Sequence, residues 1–161
     1  MKRFGQGAVR VGLSVCMAVA LLGAGCSDSD SDDDGADVVH SAGNATILGT
    51  FSFDFDNGSG GTTPVPAGDA SDMFWERLTL TDSRLSPQSG ARFAAMGVVD
   101  YGAVTKAQVQ TLALAGAAIA HTALPAGTVV AFRTDAGRFG KFKINGFSGN
   151  QDMAVSWTTW E

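Results

Sequence analysis

Along residues 47–56 apolar and polar side chains alternate, with Phe51, Phe53 and Phe55 on one side of the chain and Thr50, Ser52, Asp54 and Asp56 on the other. A period of two marks a strand with one face against a core. The segment is therefore predicted as a half-buried strand whose acids face solvent. Residues 57–69 (NGSGGTTPVPAGD) hold Gly, Thr and Pro without periodicity, which is the composition of a long exposed loop. Residues 73–80 and 92–99 read as two further strands.

The strongest local pattern is a hairpin over residues 128–147. With Asp135, Ala136 and Gly137 as a three-residue turn and Gly137 left-handed, Thr134 pairs with Arg138 and the ladder runs back from there. That register sets Val130, Phe132, Phe142 and Ile144 on one face, leaves Gly140 opposite Phe132 to admit the ring, and sends Arg133, Lys141 and Lys143 to the other face. A slip of one residue would invert every one of these side chains. After a turn at 148–151, residues 152–160 form a last strand with Met153, Val155 and Trp157 on one face.

One helix is expected. Thr105 followed by Gln108 has the form of a capping box, and Val109, Leu112, Ala113 and Gly116 follow at helical spacing. Residues 106–115 are predicted to cover one side or end of the sheet. About six short strands, Gly-rich turns and one short helix predict a mainly β fold, an antiparallel sandwich or a partly open barrel.

The N-terminus has a different pattern. Lys2, Arg3 and Arg10 precede an uncharged apolar run over residues 11–25, too short for a membrane span and of signal-peptide length. It closes as Leu21-Leu22-Gly23-Ala24-Gly25-Cys26, which resembles the lipobox of bacterial lipoproteins, with Gly23 where Leu is usual and Leu22 displaced by one position. The resemblance covers the signal only. It implies cleavage before Cys26, lipidation of Cys26 and attachment to a membrane, with Ser27 directing the product to the outer membrane. Two or more acyl chains, at about 0.8 kcal/mol per buried CH₂, make a stable anchor.

The domain division follows: residues 1–25 as signal, 26–43 as lipidated Cys and disordered Ser/Asp tether, and 44–161 as one mostly β domain. The chain's formal charge of −5 comes largely from the tether. Residues 38–161 carry 8 basic and 10 acidic side chains, without a basic cluster among aromatics, so a nucleic-acid partner is excluded. The two cysteines, Cys16 and Cys26, both fall in the signal region, so the domain is held by packing and not by disulfides.

Candidate chemistry is sparse. Asp54, Asp56, Asn57 and Gly58 supply the oxygen-rich, tight-turning composition of a calcium site, but the helical calcium loop does not fit, since the position of its closing Glu is Val65. Asp54 and Asp56 are accordingly read as strand carboxylates leading into a turn, and no cofactor is assigned. His40 and His121 do not make a zinc set, Gly58 to Gly61 precede no helix that would cradle phosphate, and Ser148 lies in no nucleophile elbow. Trp75, Trp157, Trp160 and Tyr101 are candidate ligand-binding aromatics. Phe74 and Trp75, like Trp157 and Trp160, point to opposite strand faces, which predicts one exposed member in each pair.

The expectation is a membrane-anchored envelope lipoprotein with a non-enzymatic binding or structural β module, meeting an envelope protein or glycan. Two alternatives compete. One is carbohydrate binding through exposed Trp rings; the other is a glycan hydrolase using Asp54, Asp56, Asp72 and Glu76, which requires paired carboxylates across a cleft.

Overall fold

A computed structural model describes residues 37–149 and 151–161; the signal, Cys26 and most of the predicted tether lie outside them. Ten strands form two antiparallel five-stranded sheets. One sheet runs β1 (Val39–Ile47), β10 (Asp152–Trp160), β9 (Phe139–Ser148), β8 (Thr128–Arg133) and β6 (Arg92–Val98). The other runs β3 (Ser59–Gly60), β2 (Phe51–Asp54), β4 (Met73–Arg77), β5 (Ser83–Pro87) and β7 (Ile119–Ala120).

The two sheets pack as a sandwich around one apolar cluster. Phe53, Met73, Trp75 and Leu85 enter it from the smaller sheet, and Phe93, Val130, Phe132, Phe142, Ile144, Met153, Val155 and Trp157 from the larger. Phe55 lies between them, its ring stacked on Phe132 at 4.4 Å and on Phe142 at 5.2 Å. Burying rings and branched side chains of this size, at about 1.5–3 kcal/mol each, is the main force holding the sheets together.

The hairpin has the register read from the sequence. Val130 pairs with Phe142 and Phe132 with Gly140, the Thr134 amide donates to Arg138 O at 2.8 Å, and Gly137 has φ 92°. A Cβ on Gly140 would stand 2.2 Å from Phe132 Cζ, so the ring occupies the space the glycine leaves.

Several expectations are corrected. The segment predicted as one strand over 47–56 is cut by a turn at Thr50, which has φ 78°: the chain leaves the larger sheet at Ile47 and enters the smaller one at Phe51. The larger sheet takes in residues 39–43, assigned above to the tether, because β1 pairs with β10 along its length. The residues are small and polar, and the backbone ladder, not side-chain burial, recruits them. Among the described residues ten strands stand where about six were expected: β3 and β7 are only two residues long, and β5 alternates Ser83 with Leu85 without an apolar pattern.

The helix α1 spans Lys106–Gln110 with its capping box formed, and ends five residues earlier than expected. The Thr111 hydroxyl donates to Gln108 O at 2.7 Å, and Ala115 exchanges two backbone hydrogen bonds with Phe93. Ladder pairing thus wins over a further helical turn. Val109 of the helix joins Val104, Val129, Ala131 and Trp160 in a second apolar cluster on the outer face of the larger sheet. That face is covered, which explains why Lys141, predicted to face away from the core, is only 6% exposed.

Candidate functional site

Three loops meet at one end of the sandwich: the turn after β2, the segment leading into β4, and the β8–β9 hairpin turn. Together they line a cleft of about 320 Å³ with Asp54, Asp56, Asp69, Asp135 and Arg138 among its walls. Carboxylate oxygens of Asp54, Asp56 and Asp72 lie within 4.8 Å of one another.

Each acid is placed by backbone hydrogen bonds. Asp54 closes a turn by accepting from the amides of Asp56 at 2.8 Å and Asn57 at 3.2 Å, and its other oxygen accepts from Asn57 Nδ2 at 2.9 Å. This side-chain-to-backbone bonding is what Asp does at turns. Asp72 accepts from the Phe55 amide at 2.8 Å and the Asp135 amide at 2.9 Å. It therefore ties β2 of one sheet to the hairpin turn of the other. Asp56 has its Oδ2 3.6 Å from the Arg138 guanidinium, while its Oδ1 is buried and accepts no hydrogen bond.

Asp54, expected to face solvent, is 3% exposed, and Asp72 is fully buried. Burial pushes the Asp72 carboxyl up to about 7, the charges of Asp56 and Asp54 adding to it while the Asp135 and Phe55 amides oppose. Burial also raises Asp56, against the Thr134 hydroxyl and Arg138. The donor atoms brought together here are carboxylate oxygens, the hard ligands that divalent cations take. Of the acids considered for hydrolysis, Asp54 lines the cleft with Asp56, while Asp72 is enclosed.

The fourth acid considered, Glu76, is elsewhere, ion-paired with Arg84 at 2.5 Å. His40 contacts Glu161 at 2.7 Å, and His121 packs on Phe147 at 4.4 Å.

Three of the four candidate aromatics are buried. Trp75 is fully buried, Trp160 4% exposed and Trp157 7% exposed, so the predicted exposed member of the Trp157/Trp160 pair does not exist. The inner face of the larger sheet packs on the smaller one, and its outer face is covered around Trp160 by the second cluster. Gly43 and Gly58 close over the Trp157 ring, where an added Cβ would lie 2.6 and 2.8 Å from it. Trp75 donates through Nε1 to Gln151 O at 2.7 Å. Tyr101 is half-buried, its hydroxyl 2.9 Å from Thr158 Oγ1. No coplanar ring platform remains for a sugar among these four.

Asp72, weighed above only as an acid for hydrolysis, is the residue that converts Asp54 and Asp56 into a cluster. Asp69, Asp135 and Arg138 carried no sequence signal, because the loops that bring them here meet only through the packing of the two sheets. No family model, curated protein or solved structure matches this chain.

Proposed function

We propose that the chain is an exported lipoprotein, anchored through Cys26, whose β-sandwich is a non-enzymatic binding module that receives a positively charged ligand at its acidic end. The observation that carries the binding reading is the convergence of Asp54 and Asp56, which line the cleft, with the buried Asp72 behind them. The large aromatics are engaged in the two cores and the histidines in pairs of their own, while this cleft gathers charged groups on its walls. The anchor reading rests on the basic residues, apolar run and Leu21-to-Cys26 pattern of the sequence.

Twelve residues separate Cys26 from Val39, a span of at most about 40 Å fully extended. The module accordingly works close to the membrane that holds it. Mass analysis of the N-terminal peptide from isolated membranes tests the anchor: an acylated Cys26 is expected, and Cys26→Ser releases the protein from the membrane fraction. Recovery of intact Met1, or of the unmodified chain from cytosol, overturns it.

A further inference from the structure

The acidic end carries more negative charge than the chain balances there. Arg138 is the cationic residue lining the cleft, and its guanidinium is shared between Asp56 at 3.6 Å and Glu161 at 3.7 Å. Counted wholly toward the cluster, it balances one of the carboxylates of Asp54, Asp56 and Asp72. A second observation is independent of the clustering. The Asp56 side chain is only 9% exposed, yet its Oδ1, out of reach of solvent, has no donor. A carboxylate oxygen removed from water and given no partner is costly, and buried polar atoms left so call for an ion or ligand.

We propose that this cleft binds a calcium ion, with the carboxylates of Asp54, Asp56 and Asp72 as its protein ligands. The inference rests on reading the acidic end as the working surface; it does not depend on the lipid anchor. The donors are all hard oxygens, which select calcium or magnesium over zinc or copper. Oxygens within 4.8 Å of one another fit inside a calcium coordination sphere, whose ligands stand up to about 5 Å apart. Asp54 Oδ2 and the two Asp72 oxygens each accept one N–H and keep a second lone pair, whereas Asp54 Oδ1 is taken up by the amides of Asp56 and Asn57. Calcium accepts 6–8 oxygens in irregular geometry, and water completes the sphere.

The test is calorimetric titration of the purified full chain with CaCl₂ near neutral pH, beside thermal unfolding in calcium and in EDTA. Saturable binding with a dissociation constant on the order of 10⁻⁴ to 10⁻³ M is expected, with a midpoint raised by several degrees and restored by EDTA. Asp56→Asn should weaken binding by about tenfold or more, while Glu76→Gln, outside the cleft, binds as the wild type does. Calcium should also move the amide resonances of Phe55, Asp56 and Asp135 in the ¹⁵N-labelled wild type, a readout that needs no variant to fold. Shifts confined to residues 28–37, unchanged affinity in a folded Asp56→Asn, or an equal response to magnesium would overturn the proposal. So would movement of the same amides by spermidine but not by calcium, an outcome that spares the broader reading of the cleft.

Discussion

Two places in this molecule withdraw ionised side chains from water, and they do so in opposite ways. Lys141, beneath α1, donates to Tyr101 O at 2.5 Å and Val104 O at 2.7 Å, and its ammonium stands 4.4 Å from the Tyr101 ring and 5.4 Å from that of Trp160. Burial lowers its pKa, with Asp100 and Asp37 acting against that. Its donors have carbonyl and π partners within the chain. At the acidic end Asp72 is likewise provided for, by two amides, but Asp56 is left with one oxygen unmet. A buried charge whose partners are complete belongs to the architecture, and one whose partners are incomplete points to a component from outside.

The largest expected effect is at the satisfied site. Lys141→Ala leaves the Tyr101 and Val104 carbonyls without their donor and removes the ammonium from over the Tyr101 and Trp160 rings, and should cost about 3 kcal/mol of unfolding free energy in urea. A loss below about 1 kcal/mol would break the comparison, since Lys141 would then behave as a surface charge.

A smaller effect is expected from pH at the unsatisfied site without metal. Burial pushes the folded Asp72 carboxyl up to about 7, against an ordinary value of 3.8. Between those values the folded chain binds more protons than the unfolded one, so stability falls as pH rises. The stabilising contribution is complete below the lower value and gone above the upper. Asp56, also raised, adds in the same direction; Asp54, Asp69 and Asp135 reinforce the local negative field, and Arg138 opposes it. Denaturation in EDTA at about pH 5 and about pH 8 should differ on the order of 2 kcal/mol, and calcium should flatten the slope. A profile without slope in EDTA would remove the contrast between the two sites.

The two sites were unequally legible in the sequence, and so was the fold. The β8–β9 hairpin could be read to the residue because alternation, a Gly at the turn and Gly140 opposite Phe132 all select one register. The smaller sheet could not: β5, with Ser83 and Leu85 inward, buries a hydroxyl where the pattern calls for an apolar residue, and Ser83 donates to the Gln151 side chain instead. Trp157 and Trp160 were placed on opposite faces correctly, but exposure did not follow. The cover over the outer face comes from α1 and the loop beside it, distant in sequence. Asp54 and Asp56 were visible as oxygen donors, whereas their convergence with Asp72 depends on β2 pairing with β4, a contact that no local pattern encodes.

Replacing the unmet charge itself should act with the opposite sign to Lys141→Ala. In EDTA near neutral pH, Asp56→Asn removes a buried negative charge from between two others and offers amide hydrogens to their oxygens. A gain of about 1 kcal/mol is expected from equilibrium unfolding, and a loss of similar size would mean that the Arg138 contact already completes Asp56.

The smallest effect belongs to an ion pair that resembles neither site. Glu76 and Arg84 meet at 2.5 Å across β4 and β5, with side chains 27% and 46% exposed, and the guanidinium holds Glu76 below the usual carboxylate range. Water and salt screen such a pair, and fixing two long side chains offsets most of what their attraction returns. Glu76→Gln should therefore leave the thermal midpoint unchanged within error at both low and high salt. A clear drop at low salt that vanishes at high salt would show that short distance alone, without burial, governs how charges stabilise this sandwich, and the contrast between Lys141 and Asp56 would then need a different explanation from the completeness of their partners.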